Sequence, residues 1–144
     1  MLKSTHYDEE HSLLVLQFDG VYVGAEAQRA GAAFIKTQKV LPRYFIFDYR
    51  TVTTADMLDS DNALLTYTFR SLPFPPEQVN AMRFVHLLPA DSNHPLWERF
   101  HRNDWARSRF SNQRTLLAAS DDPEHDWQQA LSALDLPSTI AQPD

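Results

Sequence analysis

Tyr44-Phe45-Ile46-Phe47-Asp48-Tyr49 is the stretch whose reading decides the fold. It is an apolar and aromatic run broken by a single carboxylate. A run without polar alternation reads as a strand buried on both faces, and such strands belong to parallel sheets covered by helices. Working back toward the N-terminus, Gly24 to Val40 reads as a helix. Ala25, Ala32, Ala33, Phe34 and Ile35 supply its apolar surface, and Pro42 follows its end. Before it, Ser12 to Phe18 (SLLVLQF) reads as a strand stopped by Asp19-Gly20. Leu2 to Tyr7 forms a short first strand, joined to the second by the polar turn Asp8 to His11.

Working forward, Ala55 to Ser71 reads as a second helix. Leu58, Leu64, Leu65 and Phe69 form its inner stripe, and Asp56 lies in its first turn, where the helix dipole favours it. Leu72 to Pro76 (LPFPP) ends that helix and reads as a loop, since cutting there leaves halves too small for separate cores. Asn80 to Leu88 is a further strand. Asp91 to Pro95 is a turn and cap, and Leu96 to about Phe110 a third helix. Arg114 to Ala119 is the last strand. Asp121 or Asp122 then caps a final helix with Trp127, Ala130, Leu131 and Leu134 on one face. The order β-β-α-β-α-β-α-β-α predicts an α/β fold: a mixed, mostly parallel five-stranded sheet with an N-terminal antiparallel hairpin and four main helices. A chain of 144 residues predicts one domain, residues 1–136, with a frayed tail over 137–144.

Composition narrows the function classes. The formal net charge of -6 argues against non-specific nucleic-acid binding and against docking on an anionic membrane, both of which depend on lysine and arginine. Cysteine is absent, which removes disulfides, thiolate metal sites and a cysteine nucleophile and fits a reducing cytoplasm. The N-terminus carries no apolar signal-peptide core, and no apolar run approaches the roughly 20 residues that span a bilayer. The expectation is a cytoplasmic protein without nucleic-acid or membrane partners.

Three local features taken in order resemble the STAS-like (SpoIIAA-like) domain family, the single-domain bacterial relatives of anti-sigma-factor antagonists. Leu14 to Gly20 looks like the family's second strand with its closing glycine. Phe45 to Val52 (FIFDYRTV) resembles the strand and loop leading to the family's functional site. Arg83 to Leu88, a polar turn, an aromatic helix, Arg114 to Ala119 and Asp126 to Leu131 resemble the second half of many such proteins. The resemblance spans roughly Leu2 to Leu134. It implies a non-catalytic protein-interaction or signalling-accessory domain. In signalling members a serine or threonine near the start of the helix after the central strand is phosphorylated. Here Asp56 fits the preceding acidic position, but Met57 stands in the acceptor's place and the following glycine is missing, so no phosphoswitch is expected.

The alternative reading is a small-molecule or lipid-binding domain with its site near the strand ends around Asp48 to Thr54, where ligands of open α/β sheets collect. Its candidate residues are Asp48, Arg50, Thr51, Thr53, Thr54 and Asp56. Asp48 reads first as a cap on the loop after its strand and second as a perturbed catalytic carboxylate. A partner surface, most simply a homodimer interface, is expected at Trp97, Arg102, Trp105 and Arg109, because tryptophan and arginine are enriched at binding hot spots. His94, Glu98 and His101 fall at i, i+4 and i+7, but this spacing is not HExxH, and no metal is expected. Three glycines form no phosphate cradle, and no GxSxG elbow occurs. No catalytic residue and no cofactor are expected.

Overall fold

The computed structural model describes residues 1–56, 71–101 and 113–144. The chain is α/β, with a five-stranded sheet and four helices among the described residues. In order these are β1 (Leu2–Asp8), β2 (Leu13–Val23), α1 (Gly24–Gln38), β3 (Tyr44–Asp56), α2 (Pro76–Ala81), β4 (Arg83–Leu88), α3 (Pro95–His101), β5 (Arg114–Ala118) and α4 (Pro123–Ala133). The strands lie side by side in chain order. β1 and β2 pair antiparallel, as two strands joined by a tight turn must, and the remaining pairs are parallel.

The apolar run from Tyr44 occupies the centre of the sheet, with β2 on one side and β4 on the other. Alternate side chains leave it in opposite directions. Phe45 and Tyr49 join one core with Leu14, Leu16, Phe18 and Phe84, covered by Ile35 of α1, Val79 of α2 and Leu96 and Phe100 of α3. Ile46 joins a second core with Leu13, Val15, Val85 and Leu87, covered by Trp127, Ala130 and Leu131 of α4. A helix layer on each face is the reason this stretch carries no polar alternation.

Several boundaries differ from those expected. Asp19-Gly20 does not stop β2, which continues to Val23. Gly20 adopts φ +56°, a left-handed conformation open to glycine, and the strand kinks there instead of ending. The second helix does not begin at Ala55: Ala55 and Asp56 close β3, so Asp56 sits in no helical first turn. The rest of that expected helix, residues 57–70, lies outside the described residues. The proline loop ends earlier than expected, because Pro76 opens α2, with a fixed φ suited to a first helical position. Asn80 and Ala81 are therefore helical, and β4 starts at Arg83. α1 stops at Gln38, where Lys39 turns left-handed and donates its N–H to the Ile35 carbonyl. The expected length of the third helix past His101 also falls outside the described residues.

The tail from Pro137, expected to be frayed, makes contacts with the second core. Ile140 is buried in the second core, and the Trp127 indole N–H donates to its carbonyl at 2.8 Å. The Gln128 amide reaches the Ser138 carbonyl at 3.0 Å, and the Gln17 amide the Pro143 carbonyl at 3.4 Å. The tail thus packs beside Leu13 and Val15 of β2 in the second core. No helix among the described residues is long and apolar enough to cross a membrane.

Candidate functional site

β3 is paired with β4 as far as Asp48, which lies opposite Leu87. Beyond it only β2 accompanies the strand, and there the register slips. Gln17 to Asp19 of β2 faces Asp48 to Thr51 of β3, two steps against three, and a second slip follows between Gly20 and Val21. An extra residue in one strand redirects the side chains after it. Alternation would send Asp48 and Arg50 to one face and Thr51 to the other; the slip brings all three to the α4 side. They line a cleft of about 330 Å³ with Ala90 after β4, Ala119 and Ser120 after β5, Pro123 and Asp126 of α4, and Lys3, Gln17 and Gln142. The cleft thus stands at the carboxyl ends of parallel strands, where open α/β sheets hold their ligands.

An ion-pair network forms its floor. The Arg50 guanidinium clamps Asp48 through two bonds, Nε to Oδ1 at 2.9 Å and the second terminal nitrogen to Oδ2 at 2.8 Å. The Arg50 backbone N–H also donates to Asp48 Oδ1, at 3.1 Å. The other terminal nitrogen donates to the Pro123 carbonyl at 3.1 Å and stands 3.9 Å from Asp126 Oδ2. Asp126 accepts the Ser120 N–H at 3.0 Å and the Ser120 hydroxyl at 2.7 Å. Burial works against the Arg50 charge, but the Asp48 hydrogen bonds and the charges of Asp48 and Asp126 outweigh it and raise its pKa above the ordinary value. The network joins the middle of β3, where its pairing with β4 ends, to the first turn of α4.

The structure separates the predicted residues into two groups. Asp48, Arg50 and Thr51 meet in the cleft. Asp48 is not the cap of a following loop, because β3 continues past it; it braces Arg50 and takes one backbone bond from within its own strand. Thr53, Thr54 and Asp56 lie farther along the β2–β3 ribbon and outside the cleft lining. The Thr51 and Thr53 hydroxyls donate to the Phe18 and Gly20 carbonyls, each at 3.1 Å. These bonds satisfy ladder positions disturbed by the slips, so the two hydroxyls hold the ribbon together.

Trp97 is half-buried against the first core, with its indole N–H donating to the Pro89 carbonyl at 2.8 Å. Arg102, Trp105 and Arg109 lie outside the described residues. His94 does not turn toward Glu98: its Nε2 stands 3.1 Å from both the Val52 and Thr53 carbonyls, and its Nδ1 accepts the Leu96 N–H at 3.2 Å. That pattern fixes the proton on Nε2 and makes His94 a clasp between α3 and the ribbon. Asp8, Glu10 and His11 bring ligand atoms within 4.8 Å of one another in the β1–β2 turn. His11 Nδ1 contacts Asp8 Oδ2 at 2.8 Å, an arrangement that closes the turn.

Sequence reasoning missed Ser120, Asp126, Gln17, Lys3 and Gln142. An aspartate in a helix's first turn carries no mark separating a dipole-favoured surface acid from one 4% exposed, as Asp126 is. Lys3 and Gln142 come from opposite ends of the chain, and no local pattern joins them. No family model matches the chain, and no curated protein matches its sequence.

Proposed function

We propose that this chain is a non-catalytic binding domain whose recognition site is the cleft beyond the carboxyl ends of β4 and β5, against the middle of β3, and that its ligand is a small polar molecule. The observation that carries this reading is the register slip that turns Asp48, Arg50 and Thr51 together into a ligand-sized recess. Asp48 and Asp126 act as braces within it: each accepts several hydrogen bonds from neighbouring protein groups, which suits positioning better than proton transfer. Unengaged hydrogen-bonding capacity at the rim comes from the Lys3 ammonium and the Gln142 amide. A few polar groups around a preformed recess are the ordinary composition of small-molecule sites.

The test is native mass spectrometry on freshly purified, untagged protein, with thermal shifts against nucleotides, amino acids and sugar phosphates. Wild type is expected to retain a small molecule or to be stabilised by one of these classes. Ala90→Trp, which fills the rim without touching the ion pairs, is expected to lose that response. Equal responses from both proteins, or none from wild type, count against the cleft.

A second reading is a signalling-accessory domain of STAS-like type that meets a protein partner or a second copy of itself. The chain-ordered sheet with its antiparallel edge strand supports it, since that is the architecture the resemblance implies. Sedimentation equilibrium at high micromolar concentration tests it: a monomer in wild type removes the homodimer.

A further inference from the structure

His86 lies on β4, opposite Phe47 of β3 and Leu116 of β5. Its side chain points to the face covered by α3 and is 4% exposed. Both ring nitrogens are buried, without a hydrogen-bond partner among the described residues. The imidazole stacks against Phe47 and Tyr49, with ring centroids 5.0 and 5.8 Å away and planes within 9° and 7° of parallel. Phe100 of α3 closes over it at 4.7 Å. An unpartnered buried polar group is rare in folded proteins and calls for an explanation.

We propose that His86 makes the packing of α3 on the sheet acid-labile, so that uptake of a proton by this imidazole separates α3 from β3 and β4 and uncovers the aromatic face beneath. The neutral ring is tolerated as a flat partner in an aromatic stack. The imidazolium is not, because among the described residues nothing accepts its two N–H groups, and a buried charge without hydrogen bonds is costly. The described titratable groups around it give no relief. Tyr49 on β3 is held neutral by burial and by the neighbouring Tyr22 on β2, which together push its pKa well above the ordinary value. Arg114 on β5 acts on the ring as a positive charge, although burial pushes its own pKa down to about 10. On α3, Arg99 is buried beside Phe100 and Glu98 is exposed.

Burial first and Arg114 second hold the His86 pKa well below its ordinary value. The unfolded or opened chain therefore binds a proton that the closed form does not. The closed form is most favoured above about pH 6.5 and loses ground as pH falls below it. α3 gives way first because it meets the ring through side-chain packing, Phe100 on His86, whereas β4 is held between β3 and β5 by backbone ladders. Elements held by side-chain contacts open locally before strands held inside a sheet.

The experiment is hydrogen exchange by mass spectrometry between pH 7.5 and 4.5, corrected for intrinsic rates, with anilinonaphthalene sulfonate fluorescence in parallel. Wild type is expected to lose protection in residues 95–101 and to gain dye fluorescence as pH falls below about 6, while residues 123–133 stay protected. His86→Phe is expected to move that onset at least about one pH unit toward acid. His86→Leu serves the same purpose if the phenylalanine variant does not fold. An onset unmoved in the folded variant overturns the proposal, as does simultaneous loss of protection in residues 95–101 and 123–133.

Discussion

Exchanging Asp48 for asparagine keeps the shape of the side chain and removes its charge, leaving the Arg50 guanidinium inside a pair whose members are each 10% exposed. Breaking such a pair from one side costs about 3–5 kcal/mol, because a buried charge loses its partner. Asp48→Asn and Arg50→Met are each expected to lower the urea midpoint by an amount of that size. The double variant Asp48→Leu/Arg50→Met is expected to recover much of it. Additive losses in the cycle would mean that the two groups do not act as one unit. At this scale the sequence was only partly readable. Asp48 and Arg50 stand out as charges in and beside an apolar run, and their i,i+2 spacing puts them on one face of a strand. Thr51 reaches the same cleft through a register slip, and no residue type in β3 announces one. The single glycine of the ribbon, Gly20, lies on the other strand and read as a stop.

Among the elements, the tail behaves least like its composition. Pro137-Ser138-Thr139 reads as a polar end, yet the Gln128 amide binds the Ser138 carbonyl and the Trp127 indole that of Ile140 just after it. Ile140, 8% exposed, is the only strongly apolar residue after Leu136, and a lone isoleucine is too little signal to predict docking. Ile140→Ala is expected to lower stability by about 2 kcal/mol, near the low end for truncating a buried isoleucine. Removing residues 138–144 is expected to lower it further and to red-shift Trp127 emission in a variant whose other tryptophans are phenylalanine. Unchanged emission after truncation would mean that the tail does not cover the indole. The helix boundaries illustrate a different limit. Pro76 was read for its power to end a helix, whereas it opens one, and proline is suited to both positions. The cap before α4 was legible because Asp122 and Pro123 are adjacent: the Asp122 side chain accepts the Glu124 and His125 N–H groups, the preferred arrangement at a helix start.

In the whole molecule, one sheet carries two cores that share their strands. Phe45 and Ile46 are adjacent in β3 but belong to opposite cores, so loss of the sheet removes the floor of both at once. Urea unfolding at neutral pH is therefore expected to be a single transition. Variants retaining only Trp97 or only Trp127, which report on opposite faces, are expected to share one midpoint; separate midpoints would show two independent units. The overall architecture was legible because periodicity and element order are global signals that survive errors of a few residues at each boundary. The cleft was less so, since it draws its walls from both chain ends, the middle of β3, two strand ends and a helix start.

The two ends of the chain also converge. The Met1 ammonium donates to the Asp19 carbonyl at 2.7 Å, Lys3 and Gln142 line the same cleft, and Gln17 binds the Pro143 carbonyl 126 positions away in sequence. An affinity tag, fluorescent protein or partner domain fused at either end is thus delivered to the rim of the cleft. A fusion there is held beside the cleft at high effective concentration, and is expected to compete with any ligand of the proposed site. Surfaces for immobilisation are better taken from the last turn of α1, at exposed Lys36, about 15 Å along the helix from the Glu26 carboxylate that accepts the Leu2 N–H.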